Sequence, residues 1–216
     1  MISTELRDQF RLDTVDQMEP FLWSEVEVYD YVDDAQKMFC RLTGGLGDAT
    51  TALTTIPYLA GSPWLVTSPL ILKIREIYRT SDGNAVEVIN YEDLSRLGLR
   101  LDGRLSTPRF LIIGMEADKA MLYPSPVMAD TLKLIVDRLP LKKIDDADQK
   151  IEVADQHKNG LTLWMKARAY AKQDAETFDR NKAEVFEQKF RMYCAEAKTE
   201  KDRAKHKTRL VTYGGI

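Results

Sequence analysis

The apolar residues of this chain follow a helical period near its two ends and a strand period in its middle. Val28, Val32 and Ala35 begin a stripe with spacings of four and three residues, the repeat of one face of an α-helix. Ser24 and Glu27 precede the stripe with the spacing of a capping box, in which each side chain accepts the other residue's backbone N–H. These residues predict a helix that ends at the glycine pair following it.

The central part of the chain alternates in the manner of β-strands. Residues 70–78 alternate apolar and charged side chains, and the turn-forming sequence at 81–84 predicts a hairpin with a return strand at 85–89. A second hairpin is predicted around 116–118, and the alternation at 132–136 predicts a further half-buried strand.

Two more helices are predicted toward the C-terminus. The first covers about 153–173, and Asp179 is positioned to cap the second. The bulkiest residues of the three helical stripes are Phe39, Trp164 and Phe186, which are therefore expected to share one core.

Together these patterns predict an α+β fold in which a helical bundle is interrupted by a β-rich insertion. Residues 1–49 supply the N-terminal helices of the bundle, where Ser3 is positioned to cap a short first helix, and residues 50–140 form the insertion. Residues 141–200 supply the C-terminal helix pair, and residues 201–216 are expected to form an extended tail.

The charges of the two ends are opposite. Residues 1–36 contain ten acidic and two basic residues, a net charge of −8, whereas residues 198–209 carry +4 and the whole chain only −3. Such asymmetry indicates oriented contacts with partners, or two solvated helix faces that happen to differ in sign.

Composition and motifs indicate neither an enzyme nor a membrane protein. The chain of 216 residues is 44% hydrophobic and 30% charged, which is typical of a soluble globular protein, and it has no apolar signal segment or bilayer-spanning run. Cys40 and Cys194 are expected to be reduced core residues, in keeping with synthesis in a cytoplasm.

The candidate metal and catalytic motifs fail on spacing. His157 and His206 have no second ligand at metal-binding distance in sequence, and the acidic run 145–148 lacks the glycine and the terminal glutamate of a calcium loop. The sequence therefore predicts no catalytic residue, no cofactor and no metal, and a protein that is not an enzyme.

Three segments of the chain resemble one protein family. They are the acidic helix with Ala35-Gln36 at its centre in 22–48, the strand–Asp-Gly–strand unit in 70–94, and the helix with its Ala-Arg-Ala-Tyr-Ala-Lys-Gln-Asp end in 161–190. Their order is similar to that of the head–tail adaptor (connector, neck) proteins of tailed bacteriophages.

The resemblance implies structural work in the neck of the virion. Such adaptors form a homo-oligomeric ring, usually of twelve copies, under the portal protein, and they extend the DNA channel and offer a platform to a tail or nozzle protein. Double-stranded DNA passes through the lumen, so any contact with it is expected to be non-specific. The C-terminal end commonly docks on the portal, and the corresponding residues here are Lys201, Arg203, Lys205, Lys207, Arg209, Leu210, Val211, Tyr213 and Ile216.

Two other functions remain open at this point. The chain could be a non-specific nucleic-acid-binding protein that uses 198–209 as a basic arm, although this arm has no aromatic residue on which bases stack. It could also be an enzyme whose site is assembled from scattered residues, which a deep pocket with convergent polar groups would support.

Overall fold

Two units make up the chain in the computed structural model, which describes residues 1–174 and 176–205. The helical unit contains residues 1–43 and the described residues from 142 onward, and the β unit contains residues 44–141. Each unit buries apolar side chains of its own, and the fold class is α+β.

The helical unit contains the four α-helices of the described residues. They are α1 (Ser3–Thr14), α2 (Glu25–Thr43), α3 (Lys158–Ala171) and α4 (Arg180–Lys205). The third helix contacts the other three, and α2 also contacts α1 and α4. A single 3₁₀ turn, Asp155–His157, occupies the start of the region where the sequence predicted α3.

Three of the signals predicted at helix ends are confirmed. The backbone N–H of Ser24 donates to Glu27 Oε2 at 2.9 Å, and the N–H of Glu27 donates to Ser24 Oγ at 3.4 Å, as a capping box requires. Asp179 Oδ1 accepts the N–H of Lys182 at 3.0 Å at the start of α4. Gly44 follows α2 with a φ of +79°, a conformation that glycine adopts without steric cost.

The expected role of Ser3 as a helix cap is wrong. Ser3 is the first residue of α1, and its hydroxyl donates to the carbonyl of Asp146 at 2.8 Å while accepting the N–H of Gln149 at 3.1 Å. A residue 143 positions away thus binds the hydroxyl instead of the first turn of the helix, and it ties the start of the chain to the segment before α3.

Aromatic side chains fill much of the core of the helical unit. Phe10 and Trp23 meet edge to face with 5.4 Å between ring centroids, and Trp164 and Phe190 lie 5.0 Å apart. Phe39 and Trp164 are buried, as predicted.

Phe186 does not belong to this buried set. It is half-buried and stacks on Tyr170 at 5.9 Å, whereas Phe190, one turn further along α4, is fully buried. Close packing of α3 on α4 depends on Gly160, because a Cβ at this position would overlap the Tyr193 ring. The position of α3 therefore decides which phenylalanine of the α4 stripe is buried.

Ten strands form the β unit. They are β1 (Leu46–Asp48), β2 (Thr55–Tyr58), β3 (Trp64–Val66), β4 (Ile71–Arg79), β5 (Glu87–Asn90), β6 (Leu105–Ser106), β7 (Phe110–Glu116), β8 (Lys119–Tyr123), β9 (Ser125–Pro126) and β10 (Asp130–Arg138). A 3₁₀ turn, Ala52–Thr54, precedes β2.

The long strand β10 organises the first sheet. It pairs antiparallel with β4 along one edge, and with β2 and β1 along the other. Its alternating residues Leu132, Leu134 and Val136 are buried, which confirms the predicted half-buried strand. A buried ion pair lies beside them, with Arg138 Nε 2.5 Å from Asp48 Oδ2.

The second sheet has the order β3-β8-β7-β5, and a short parallel pair joins β6 to β9. The predicted hairpin around 116–118 is confirmed, since β7 and β8 are antiparallel and Asp118 has a φ of +54° between them.

The predicted hairpin at 81–84 is only partly correct. Its turn forms, with Gly83 at a φ of +67°, but the antiparallel pairing with β4 is limited to an isolated bridge between Tyr78 and Ala85. The chain then leaves β4, and β5 pairs in parallel with β7. A non-local partner therefore takes the strand that the turn alone would have folded back on β4.

Candidate assembly surfaces

The loop that joins α1 to α2 is built around a buried ion pair. Arg11 Nη1 lies 2.7 Å from Asp16 Oδ2, and the two side chains are only 9% and 2% exposed. Asp16 Oδ1 also accepts the N–H of Leu22 at 2.8 Å, Arg11 Nη2 donates to the carbonyl of Trp23 at 3.3 Å, and the guanidinium lies 3.8 Å from the centroid of the Phe21 ring. These contacts fix the loop at both ends.

The same segment places apolar side chains in solvent. Val15 and Met18 are 86% and 83% exposed, and the other exposed apolar residues of the segment are Leu12, Phe21, Leu22 and Val26. Exposed apolar side chains that cluster along a fixed loop are typical of a contact surface. Residues 12–26 contain four acidic residues and no basic residue, so we name this segment the acidic–apolar loop.

Most acidic groups near this loop bind cations of the same unit. Asp13 lies 2.8 Å from Lys166, and Glu27 lies 2.7 Å from Lys172. Burial, the largest single influence, would raise the pKa of Asp13, but hydrogen bonds from Lys166 and Gln9 together with the charge of Lys166 lower the pKa below its ordinary value. The further pairs from this region are Arg7–Glu25, Lys143–Asp30 and Arg168–Asp34.

These pairs change the meaning of the acidic N-terminus. Much of the charge that the sequence predicted to act on partners is compensated by lysines and arginines of α3 and of the segments on either side of it. Glu19, at the exposed tip of the acidic–apolar loop, makes no ion pair with any residue that the structure describes.

The predicted portal-docking residues fall partly in α4. Lys201, Arg203 and Lys205 are helical, so the extended tail that the sequence predicted from 201 does not begin before the end of this helix. Lys201 is half-buried and donates to the carbonyl of Thr43 at 3.4 Å, and Arg203 is exposed. The remaining predicted residues lie outside the described ones: Lys207, Arg209, Leu210, Val211, Tyr213 and Ile216.

A second exposed loop lies in the β unit and was not predicted from the sequence. Leu94 is buried and Leu99 packs beside it against Ile89 and Ile112, so both anchor the loop. Between and beyond these anchors, three arginines and three leucines are exposed: Arg96, Leu97, Arg100, Leu101, Arg104 and Leu105. We name residues 94–105 the arginine–leucine loop; its arginines at every fourth position were the available signal.

One groove of the β unit contains a pair of charged groups that bind each other. It measures 1310 Å³ and lies beside β4 and the turn that follows it. Arg79 donates to Asp82 and, at 2.7 Å, to the carbonyl of Pro108. Backbone and side-chain hydrogen bonds from Asn84, together with the bond from Arg79, lower the pKa of Asp82 to about 2. These are the contacts of a structural ion pair.

His157, Cys40 and Cys194 pack among other side chains of the helical unit. His157 lies 4.6 Å from Phe39 between ring centroids, and its Nδ1 is 3.0 Å from the Tyr193 hydroxyl. Burial lowers the pKa of His157, and the charge of Glu200 opposes this change. Cys40 and Cys194 are buried thiols, and burial raises the pKa of Cys194 to about 12. Within residues 1–174 and 176–205, no three side chains are arranged to hold a metal ion.

Comparison with protein families bears on the functions that the sequence left open. The family model described as SU10 adaptor protein matches residues 1–212. The chain belongs to the SU10 adaptor protein family. This match confirms the resemblance to phage head–tail adaptors and spans both units. A search of the curated proteins found no match.

Family membership gives this adaptor a structural role in a bacteriophage, in association with head or tail components at the neck of the virion. A family of structural adaptors also favours a protein without catalytic activity. No helix in the described ranges is long and apolar enough to span a bilayer.

Proposed function

We propose that this adaptor forms a ring, usually of twelve copies in such proteins, that docks under the portal protein of a tailed phage. The ring extends the DNA channel and offers a platform to the tail or nozzle protein. The observation that carries the proposal is the family match over residues 1–212. In this proposal the helices of the helical unit form the body of the ring.

The two exposed loops support an assembling protein. Monomeric proteins rarely keep many large apolar side chains fully exposed, because covering them is favourable wherever a partner is present. Val15, Met18 and Leu105 are each at least 60% exposed in the single chain. A ring subunit presents different surfaces to its two neighbours, and exposed surfaces in both units meet this requirement.

The C-terminal end is the proposed portal contact. Residues 206–216 follow α4 directly, and the sequence 209–213 contains an arginine and several apolar or aromatic residues. Interfaces favour this combination, since arginine and tyrosine supply both apolar area and directed hydrogen bonds. Contact with DNA in the lumen would be non-specific and electrostatic.

Deleting residues 206–216 tests the portal contact, because the deletion leaves every described element complete. We expect the truncated chain to keep its unfolding temperature and to lose binding to purified portal rings by at least about ten-fold, measured by sedimentation. A matched variant carries a glycine–serine segment of the same length, which separates the length of the tail from its sequence. Unchanged portal binding by the truncated chain would refute the contact.

A further inference from the structure

Backbone hydrogen bonds hold the arginine–leucine loop in place. Its first turn is closed by hydrogen bonds from Leu97 N to Asp93 O and from Leu99 N to Leu94 O, each 3.0 Å long. At its far end, the carbonyl of Arg104 accepts the N–H of Ser125 at 2.9 Å, where β6 pairs with β9. The exposed side chains therefore project from a backbone that is held at both ends.

The composition of this loop fits a protein better than a nucleic acid. Phosphate groups are bound by arginine or lysine without any need for neighbouring apolar side chains. Here exposed leucines alternate with the arginines, and Leu97 and Leu105 are 46% and 60% exposed. Arginine among apolar residues is the composition of a protein interface, where the partner offers apolar area and carboxylates.

The same chain carries a surface with the complementary composition. The acidic–apolar loop exposes large apolar side chains, has no basic residue, and presents the carboxylate of Glu19 at its tip. The arginine–leucine loop has three arginines and one acidic residue. Glu19, Arg100 and Arg104 make no ion pair with any residue that the structure describes, whereas Arg96 lies 3.1 Å from Asp93. One loop therefore presents an unpaired carboxylate and the other unpaired guanidinium groups, and both expose apolar area, so each offers what the other lacks.

We propose that the arginine–leucine loop of one copy binds the acidic–apolar loop of the next copy. The two loops are different surfaces of the chain, so the contact is heterologous and passes from copy to copy until a ring closes. This inference rests on the proposed ring and identifies which surfaces its neighbours share. The leucines supply the apolar contact, and the charges set its orientation.

Charge reversal in each loop tests the pairing. The first variant is R96E/R100E/R104E, and the second is Q17K/E19K, whose residues are all exposed. The matched control, K73E/R109E/K119E, makes the same change of net charge at exposed positions of the β unit outside the loop. Circular dichroism and unfolding temperature establish that each variant is folded.

Assembly is measured by native mass spectrometry of the full chain, alone and with purified portal rings. We expect each loop variant to weaken association between copies by about ten-fold or more, and the control to behave as the wild type. An equimolar mixture of the two loop variants should assemble again, because an alternating ring pairs reversed with reversed loops and native with native loops. Recovery of assembly in the mixture requires contact between the two variants, because no change within a single chain can produce it.

The outcomes separate this inference from the proposed function. If the wild type assembles or docks and the loop variants do so equally well, the pairing is wrong while the adaptor function stands. If both loop variants weaken assembly but their mixture does not recover, the loops contact other surfaces and the pairing is wrong. If R96E/R100E/R104E assembles as the wild type does and loses only its binding to a DNA duplex, the loop faces DNA and the pairing is wrong. A wild type that neither assembles nor docks refutes the ring and the pairing together.

Discussion

The acidic–apolar loop and the arginine–leucine loop expose similar apolar side chains, but different buried contacts hold the two loops in place. The first rests on the buried Arg11–Asp16 ion pair, with the ring of Phe21 against the guanidinium. The second rests on the apolar anchors Leu94 and Leu99. The acidic–apolar loop is held by a buried ion pair. The arginine–leucine loop is held by the buried Leu94 and the partly buried Leu99, and its charged side chains lie on the surface beside the exposed leucines.

The number of charged residues in a segment does not give the charge that the segment presents at the surface. The ten acidic residues of 1–36 looked like a partner-facing cluster, but many of them bind Lys166, Arg168, Lys172 and Lys143 within the helical unit. The arginine–leucine loop carries a smaller net charge, yet its arginines are exposed. Exposure in the fold therefore identifies the charges that a partner can reach.

The largest expected effect comes from removing the ionic foundation of the first loop. Asp16→Ala leaves Arg11 buried without its carboxylate, and breaking such a pair costs about 3–5 kcal/mol. Urea unfolding measures the loss, and hydrogen exchange followed peptide by peptide assigns it to the helical unit. Asp8→Ala is the control, because Asp8 is 62% exposed and Arg7 keeps Glu25 as a partner, so the pair is worth at most about 1 kcal/mol. A loss below that value for Asp16→Ala would mean that the pair does not support the loop.

A smaller effect is expected from the apolar foundation of the second loop. Leu94 is 7% exposed, so Leu94→Ala should cost an amount toward the lower end of about 2–5 kcal/mol, because a loop can close part of the cavity. Faster hydrogen exchange should appear in residues 94–105. Leu97→Ala removes an exposed leucine of the same loop and should change stability by no more than about 0.5 kcal/mol. Equal effects of the two substitutions would contradict the division into anchor and surface.

Local signals explain most of what the sequence predicted correctly. The Ser24–Glu27 box, the Asp179 cap and the turn at Asp118 each involve atoms within three or four residues, so their chemistry is visible in the sequence. The α+β class follows from apolar periods of the same local kind.

The errors come from partners that are distant in sequence. The carbonyl of Asp146 takes the hydroxyl of Ser3, and β7 takes the strand that the turn at 81–84 was expected to fold back on β4. The burial of Phe190 in place of Phe186 depends on where α3 lies. The arginine–leucine loop was missed because its significance depends on which of its leucines are buried, and the regular spacing of its arginines does not reveal that.

The mass of the complex with the portal tests most directly whether this adaptor assembles there as a ring. Purified portal rings are mixed with an excess of the full chain and weighed by native mass spectrometry. The account predicts a single added mass equal to a whole number of 24.7 kDa chains, the same in every particle. A portal whose mass stays unchanged while the chain remains monomeric would contradict the account.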